Sequence, residues 1–149
     1  VSVRVVVADV VADGLTEIVA GQAHGYGLHL WRQSPAPAGR RWTRETIDDT
    51  RAQLHDVQWV DLDGNGERAI VTGRRYRAHN GDDPGAGDPL GVYIYRWNGR
   101  GFDRTAIHEG PPGEGVGVGI HFVVRDLTGD GRADIVAPGK DGLHVLFRE

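Results

Sequence analysis

Residues 59–73 read WVDLDGNGERAIVTG: a short apolar run, a glycine-bearing acidic turn over 61–66, and a second run ending on Ile-Val-Thr-Gly. Strand, tight turn and strand is the local reading, because Asp, Asn and Gly supply the φ > 0 and side-chain-to-backbone bonds a turn needs, while β-branched residues favour a pleated surface. The same order recurs at 7–21, VADVVADGLTEIVAG, and at 124–139, VRDLTGDGRADIVAPG, without a gap until Pro138 adds one residue to the last strand. Asp9, Asp61 and Asp126 open the three turns. Third strands follow as GLHLWRQ at 27–33, GVYIYRW at 91–97 and GLHVLFRE at 142–149. Fourth strands read as WTRETID at 42–48 and FDRTAIH at 102–108, and the third unit has none.

Repeated four-stranded antiparallel units bury their faces only against one another, which is the logic of propeller blades. The expected fold is therefore all-β, one segment of β-propeller over 1–149, with blades at 1–53 and 54–118 and a partial blade at 119–149. About four to eight blades close a ring; this sequence supplies fewer, so the ring would be completed by further blades from a longer parent chain or from another chain. The longer second unit contains two loops, RRYRAHNGDDPGAGDP at 74–89 and GPPGEGVGVG at 110–119.

Composition narrows the function. The 149 residues carry 17 Lys and Arg against 21 Asp and Glu, a formal charge of −4, with the cations scattered rather than gathered in a stripe. That argues against nucleic acid as a partner. No run approaches the roughly 20 apolar residues of a membrane-spanning helix, so no membrane insertion is expected. Zero cysteines exclude disulfides and thiolate metal sites. The chain opens on Val1 rather than Met, which leaves room for a removed upstream segment, and an extracytoplasmic setting is favoured. No Ser-His-Asp spacing, phosphate-cradling loop or CxxC pair is present, and GEGVGVG at 113–119 matches a dinucleotide fingerprint only loosely.

The pattern D-x-D/N-x-D/N-G-x-x-D/E followed by an Ile-Val strand resembles the FG-GAP and VCBS repeats of integrin-like propellers. More narrowly, GQAHGYGLHLW at 21–31, QLHDVQWVDLDGNG at 53–66, RYRAHNGDDPG at 75–85 and APGKDGL at 137–143 are similar to the propeller part of aldos-2-ulose dehydratase-like proteins. The resemblance implies either sugar dehydration or adhesion, since such propellers serve both, and a fold does not choose between them.

Oxygen donors at positions 1, 3, 5, 7 and 9 of a loop suit calcium, with position 7 acting through its carbonyl. The second turn offers Asp61, Asp63, Asn65 and Glu67 but has Ala69 at the ninth place. The third offers Asp126, Thr128, Asp130, Arg132 and Asp134, and the first Asp9, Asp13 and Glu17, with Val11 at its third place. Structural calcium is expected at the second and third turns before the first. The competing reading is that Asp and Gly merely build the turns.

Among the histidines, His29, Tyr93 and His144 hold equivalent places on third strands and read as sheet-face residues, and His108 reads as an edge residue. His55 and His121 start the innermost strands of the second and third units, while His24 and His79 lie in loops after second strands. In antiparallel blades those places share one end, so the four imidazoles are expected near a channel mouth. Gln22, Arg74 and Lys140 follow the strand-ending glycines there, joined by Tyr76, Arg77 and Asn80 from the long loop. A polar concave mouth suits a small polar or carbohydrate ligand. A second divalent metal held by imidazoles, or a cation such as Arg74 or Lys140, would stabilise an enolate while His55 or His121 takes a proton. Two functions follow: a metal-assisted lyase or isomerase on a keto-sugar, or a calcium-stabilised module binding glycans or proteins.

Overall fold

The computed structural model describes residues 4–148. It is all-β. Among the described residues eleven strands run in chain order: β1 (Val6–Ala8), β2 (Glu17–Gly21), β3 (Tyr26–Ala36), β4 (Gly39–Ala52), β5 (Leu54–Asp61), β6 (Arg68–Arg74), β7 (Leu90–Trp97), β8 (Phe102–Gly110), β9 (Val123–Arg125), β10 (Asp134–Gly139) and β11 (Gly142–Leu146). They form two four-stranded sheets, β1-β2-β3-β4 and β5-β6-β7-β8, and a three-stranded sheet, β9-β10-β11, each antiparallel between sequence neighbours. Among the described residues the sheets do not close into a ring. The strands read from the sequence are present, and a short 3₁₀ turn, Ala78–Gly81, breaks the long loop between β6 and β7. No helix among the described residues is long and apolar enough to cross a membrane.

Strand alternation explains the packing, because residues two apart share a face. In the first sheet the cross-strand row Val6, Val19 and Leu30 faces the second sheet. There it meets Val57, Trp59, Ile70, Tyr93 and Tyr95. The opposite face of that second sheet presents Val71, Val92 and Ile94 to Ile135, Ala137, Val124 and Leu146 of the third. The segment GEGVGVG is a connector in this second interface: Val116 and Val118 join its core, and the Val118 amide bonds to the Arg74 carbonyl at 2.9 Å. It is no phosphate loop.

Polar bonds lock the register between sheets. Asp48 on β4 accepts from Tyr95 Oη at 2.8 Å and from Arg104 Nη1 at 2.7 Å, both on the second sheet. At the starts of the first strands of the three sheets, repeat-equivalent Arg4, Asp56 and His121 converge. Arg4 Nε lies 3.3 Å from the fully buried Asp56 carboxylate, which also accepts the Phe122 amide at 3.0 Å and has His121 Nδ1 at 3.8 Å.

Burial alone would raise the Asp48 carboxyl, but the Thr50 hydroxyl and amide, Arg104 and Tyr95 outweigh it and hold its pKa at about 2. A carboxyl depressed in the folded state contributes stability that is complete above its unfolded pKa and is lost as pH falls through the folded one. Asp48 is therefore expected to contribute about 2 kcal/mol at neutral pH, lost between about pH 4 and pH 2. Urea titrations across that window should show the decline in the parent and a flatter profile in Asp48→Asn.

Candidate functional site

The acidic turns lie at one end of the sheets, and their first carboxylates cap the turn backbone. Asp9 accepts the amides of Asp13 and Gly14, Asp61 those of Asp63, Asn65 and Gly66, and Asp126 those of Thr128, Gly129 and Gly131. The Gly66 amide is the main influence drawing the Asp61 carboxyl below its ordinary range, and the Gly131 amide does the same for Asp126. Later positions bond locally too: Asn65 Oδ1 accepts the Glu67 amide, Asp130 the Arg132 amide, and Asp134 the amides of Leu127 and Arg148.

Arginines occupy places a cation would take. Asp63 receives Arg148 Nη2 at 2.6 Å and Arg96 Nη2 at 2.9 Å, and Asp13 receives Arg32 Nη2 at 2.9 Å. Only the first turn, among the described residues, gathers three carboxylates: oxygens of Asp9, Asp13 and Glu17 lie within 4.8 Å of one another. Glu17 is fully buried, its Oε2 bonds to the Val10 amide at 2.9 Å, and its Oε1 has no hydrogen-bond partner. Burial pushes its carboxyl up, the Val10 and Val11 amides oppose this, and the charges of Asp13 and Asp9 add to it. In all three turns the leading carboxylate is spent on backbone amides, and guanidinium groups engage Asp13 in the first turn and Asp63 in the second.

The imidazoles gather at the opposite end. His24 sits between β2 and β3, His55 on β5, and His79 in the β6–β7 loop. His24 Nδ1 bonds to Asp83 Oδ2 at 2.8 Å and His79 Nδ1 to Asp83 Oδ1 at 3.1 Å, so one carboxylate joins two imidazoles from different sheets. Their rings stack with centroids 4.6 Å apart and planes 8° from parallel. His55 meets the His24 ring edge-on at 5.3 Å and has Arg75 Nη1 3.5 Å from its Nε2. His24 leads the influences that draw the Asp83 carboxyl down, with His79 adding to it. The loop takes a strained path to deliver His79: Arg77, His79 and Asn80 all adopt positive φ, at 43°, 46° and 60°. It is tied down by Gln53 Nε2 to the Pro84 carbonyl at 3.1 Å and Lys140 Nζ to the Arg77 carbonyl at 3.0 Å.

Three of the four expected histidines therefore meet. His121 stands apart, beside Asp56, with over half its side chain exposed. Arg74 is buried and donates to the Asp88 and Pro89 carbonyls, lining a separate cleft of about 240 Å³ with Arg51 and Glu109. It braces the loop. Tyr76 lines an open cleft of about 290 Å³ with Arg77, Asn80 and Pro112, on the same loop as His79. Sequence reasoning missed Asp83, although its place four residues after His79 was a usable signal, and missed Asp56 and Arg75.

A nitrogen of His24, a nitrogen of His79 and an oxygen of Asp83 lie within 4.8 Å of one another. Two imidazoles and a carboxylate suit a zinc, iron or manganese ion with coordination positions left over. The Nδ1 atoms of both imidazoles already face the Asp83 carboxylate, which is the side such an ion would take. No family model matches the chain, and no curated protein matches it.

Because Asp126 caps three amides, Asp126→Ala in chelator-containing buffer should lower the melting temperature by several degrees. A variant as stable as the chelator-treated parent would leave the carboxylate no turn-building role.

Proposed function

We propose that the chain is part of an FG-GAP/VCBS-type β-propeller whose histidine-bearing end binds a divalent metal and acts as a metal-assisted lyase or isomerase on a keto-sugar or similar polar molecule. The observation that carries this reading is the Asp83 carboxylate bonded to both His24 and His79. Support for the propeller comes from three homologous sheets stacked face to face, with equivalent Arg4, Asp56 and His121 meeting at what would be the ring axis.

His24, His79 and Asp83 would hold the metal, which when bound would polarise a substrate carbonyl or hydroxyl oxygen. His55 is buried against the His24 ring, where it would orient that imidazole rather than meet substrate. Tyr76, Arg77 and Asn80 offer the adjoining cleft, where a polyol finds an aromatic face, a cation and an amide.

A second reading, a calcium-stabilised glycan- or protein-binding module, draws on the Asp9, Asp13 and Glu17 cluster at the other end. The two readings separate experimentally. Titration of zinc or manganese followed by calorimetry should show about one site per chain, weakened at least tenfold in His24→Ala and in Asp83→Ala; equal binding by parent and both variants ends the imidazole-metal reading. Calcium should raise the melting temperature through mass action, and Glu17→Gln should remove that rise. A melting temperature indifferent to calcium rejects the calcium site.

A further inference from the structure

Gln22, Arg74 and Lys140 hold the same place after a strand-ending glycine, yet only Arg74 turns inward: the other two residues are exposed and Arg74 is 1% exposed. Its Nη1 alone makes the bonds that brace the loop, to the Asp88 and Pro89 carbonyls. Nε and Nη2 are buried and have no hydrogen-bond partner. They form one edge of the guanidinium, whose N–H groups run parallel. The nearby Asp88 carboxylate accepts Tyr26 Oη at 2.7 Å, so the buried cation is held by main-chain carbonyls rather than by a carboxylate. A charge taken out of water without an ionic partner costs stability. Burial is the main influence drawing this guanidinium below its ordinary range, and the Asp88 charge opposes it.

A second guanidinium lines the same cleft. Arg51 Nη2 pairs with Glu109 Oε1 at 2.9 Å, its Nη1 donates to the Thr50 carbonyl at 3.1 Å, and its Cζ lies 5.1 Å from the centre of the Tyr93 ring. Those contacts fix the group in place, and its buried Nε has no partner. The cleft, about 240 Å³, lies between the end of β4 in the first sheet and the loop before β7 and the end of β8 in the second. Thr50, Arg51, Arg74, Asp88 and Glu109 line it, so both of its walls belong to the described chain.

We infer that this cleft binds the carboxylate of a small organic acid, received by the Nε and Nη2 edge of Arg74 with Arg51 Nε in the same wall. The three unpartnered groups are all donors, which selects an acceptor, and the Arg74 charge selects an anion over an amide or a hydroxyl. The parallel N–H pair matches the two oxygens of a carboxylate. Phosphate offers the same oxygens, but Asp88 and Glu109 in the lining oppose a second negative charge. A cleft of this size holds a small acid and not a polymer. None of His24, His79 and Asp83 takes part, so the inference stands or falls apart from the metal reading.

The test is titration of the whole chain with lactate, at constant ionic strength in buffer freed of metals over chelating resin, followed through the arginine Nε–H resonances and the melting temperature. Lactate should move the Arg74 and Arg51 Nε–H resonances saturably and raise the melting temperature, while lactamide, its uncharged amide, should do neither. Inorganic phosphate should bind more weakly than lactate. Arg74→Lys keeps the charge but loses the fork and should weaken lactate at least tenfold; Arg51→Gln, which leaves the loop brace intact, should weaken it severalfold and carries the test if Arg74→Lys loses its β-sheet circular dichroism. Resonances indifferent to lactate, which would mean a merely hydrated cleft, would overturn the inference. So would equal binding of lactamide, tighter binding of phosphate, or undiminished lactate binding in the folded variants.

Discussion

A β-sheet that is apolar on both faces has to be covered twice, and this requirement governs the whole chain. The second sheet meets it within the molecule: Ile70 and Tyr95 are buried on one side, Val71 and Ile94 on the other. No sheet here could bury enough surface alone to offset the entropy of ordering its strands. The polar contacts add direction to that packing. Asp48 with Tyr95 and Arg104, and Asp56 with Arg4 and the Phe122 amide, fix how far one sheet is turned against the next.

The antiparallel course of the strands sorts the chemistry by end. Turns from first to second strands carry the carboxylates; loops from second to third strands carry His24 and His79, and the start of β5 adds His55. Stacking then brings loops of different sheets side by side, so that Asp83 of one reaches His24 of another. A long insertion was needed to make this contact, and the left-handed residues around His79 record the detour it takes.

Much of this was readable from the chain itself. Strand and turn positions followed from alternation and from glycine and aspartate placement, because those signals are local. Convergence of His24, His55 and His79 followed from repeat geometry, which is regular. Reasoning from equivalence failed where side chains choose between neighbours. Arg74 follows a strand-ending glycine as Lys140 does, yet turns inward to the Asp88 and Pro89 carbonyls, while Lys140 reaches Arg77. Donor counting had no view of the guanidinium groups, since nothing in the spacing announces that Arg96 and Arg148 claim Asp63 or that Arg32 claims Asp13. Asp83 lay in an insertion without a counterpart in the other repeats, where alignment has nothing to say.

The claim beneath all of this is that the three sheets hold one another in place. Val19, Val71 and Val136 are equivalent residues, one in the second strand of each sheet. Following their amide resonances through a urea titration asks whether the sheets unfold together. Mutual burial predicts a single shared midpoint for all three; well-separated midpoints would mean that each sheet stands alone and would contradict the account.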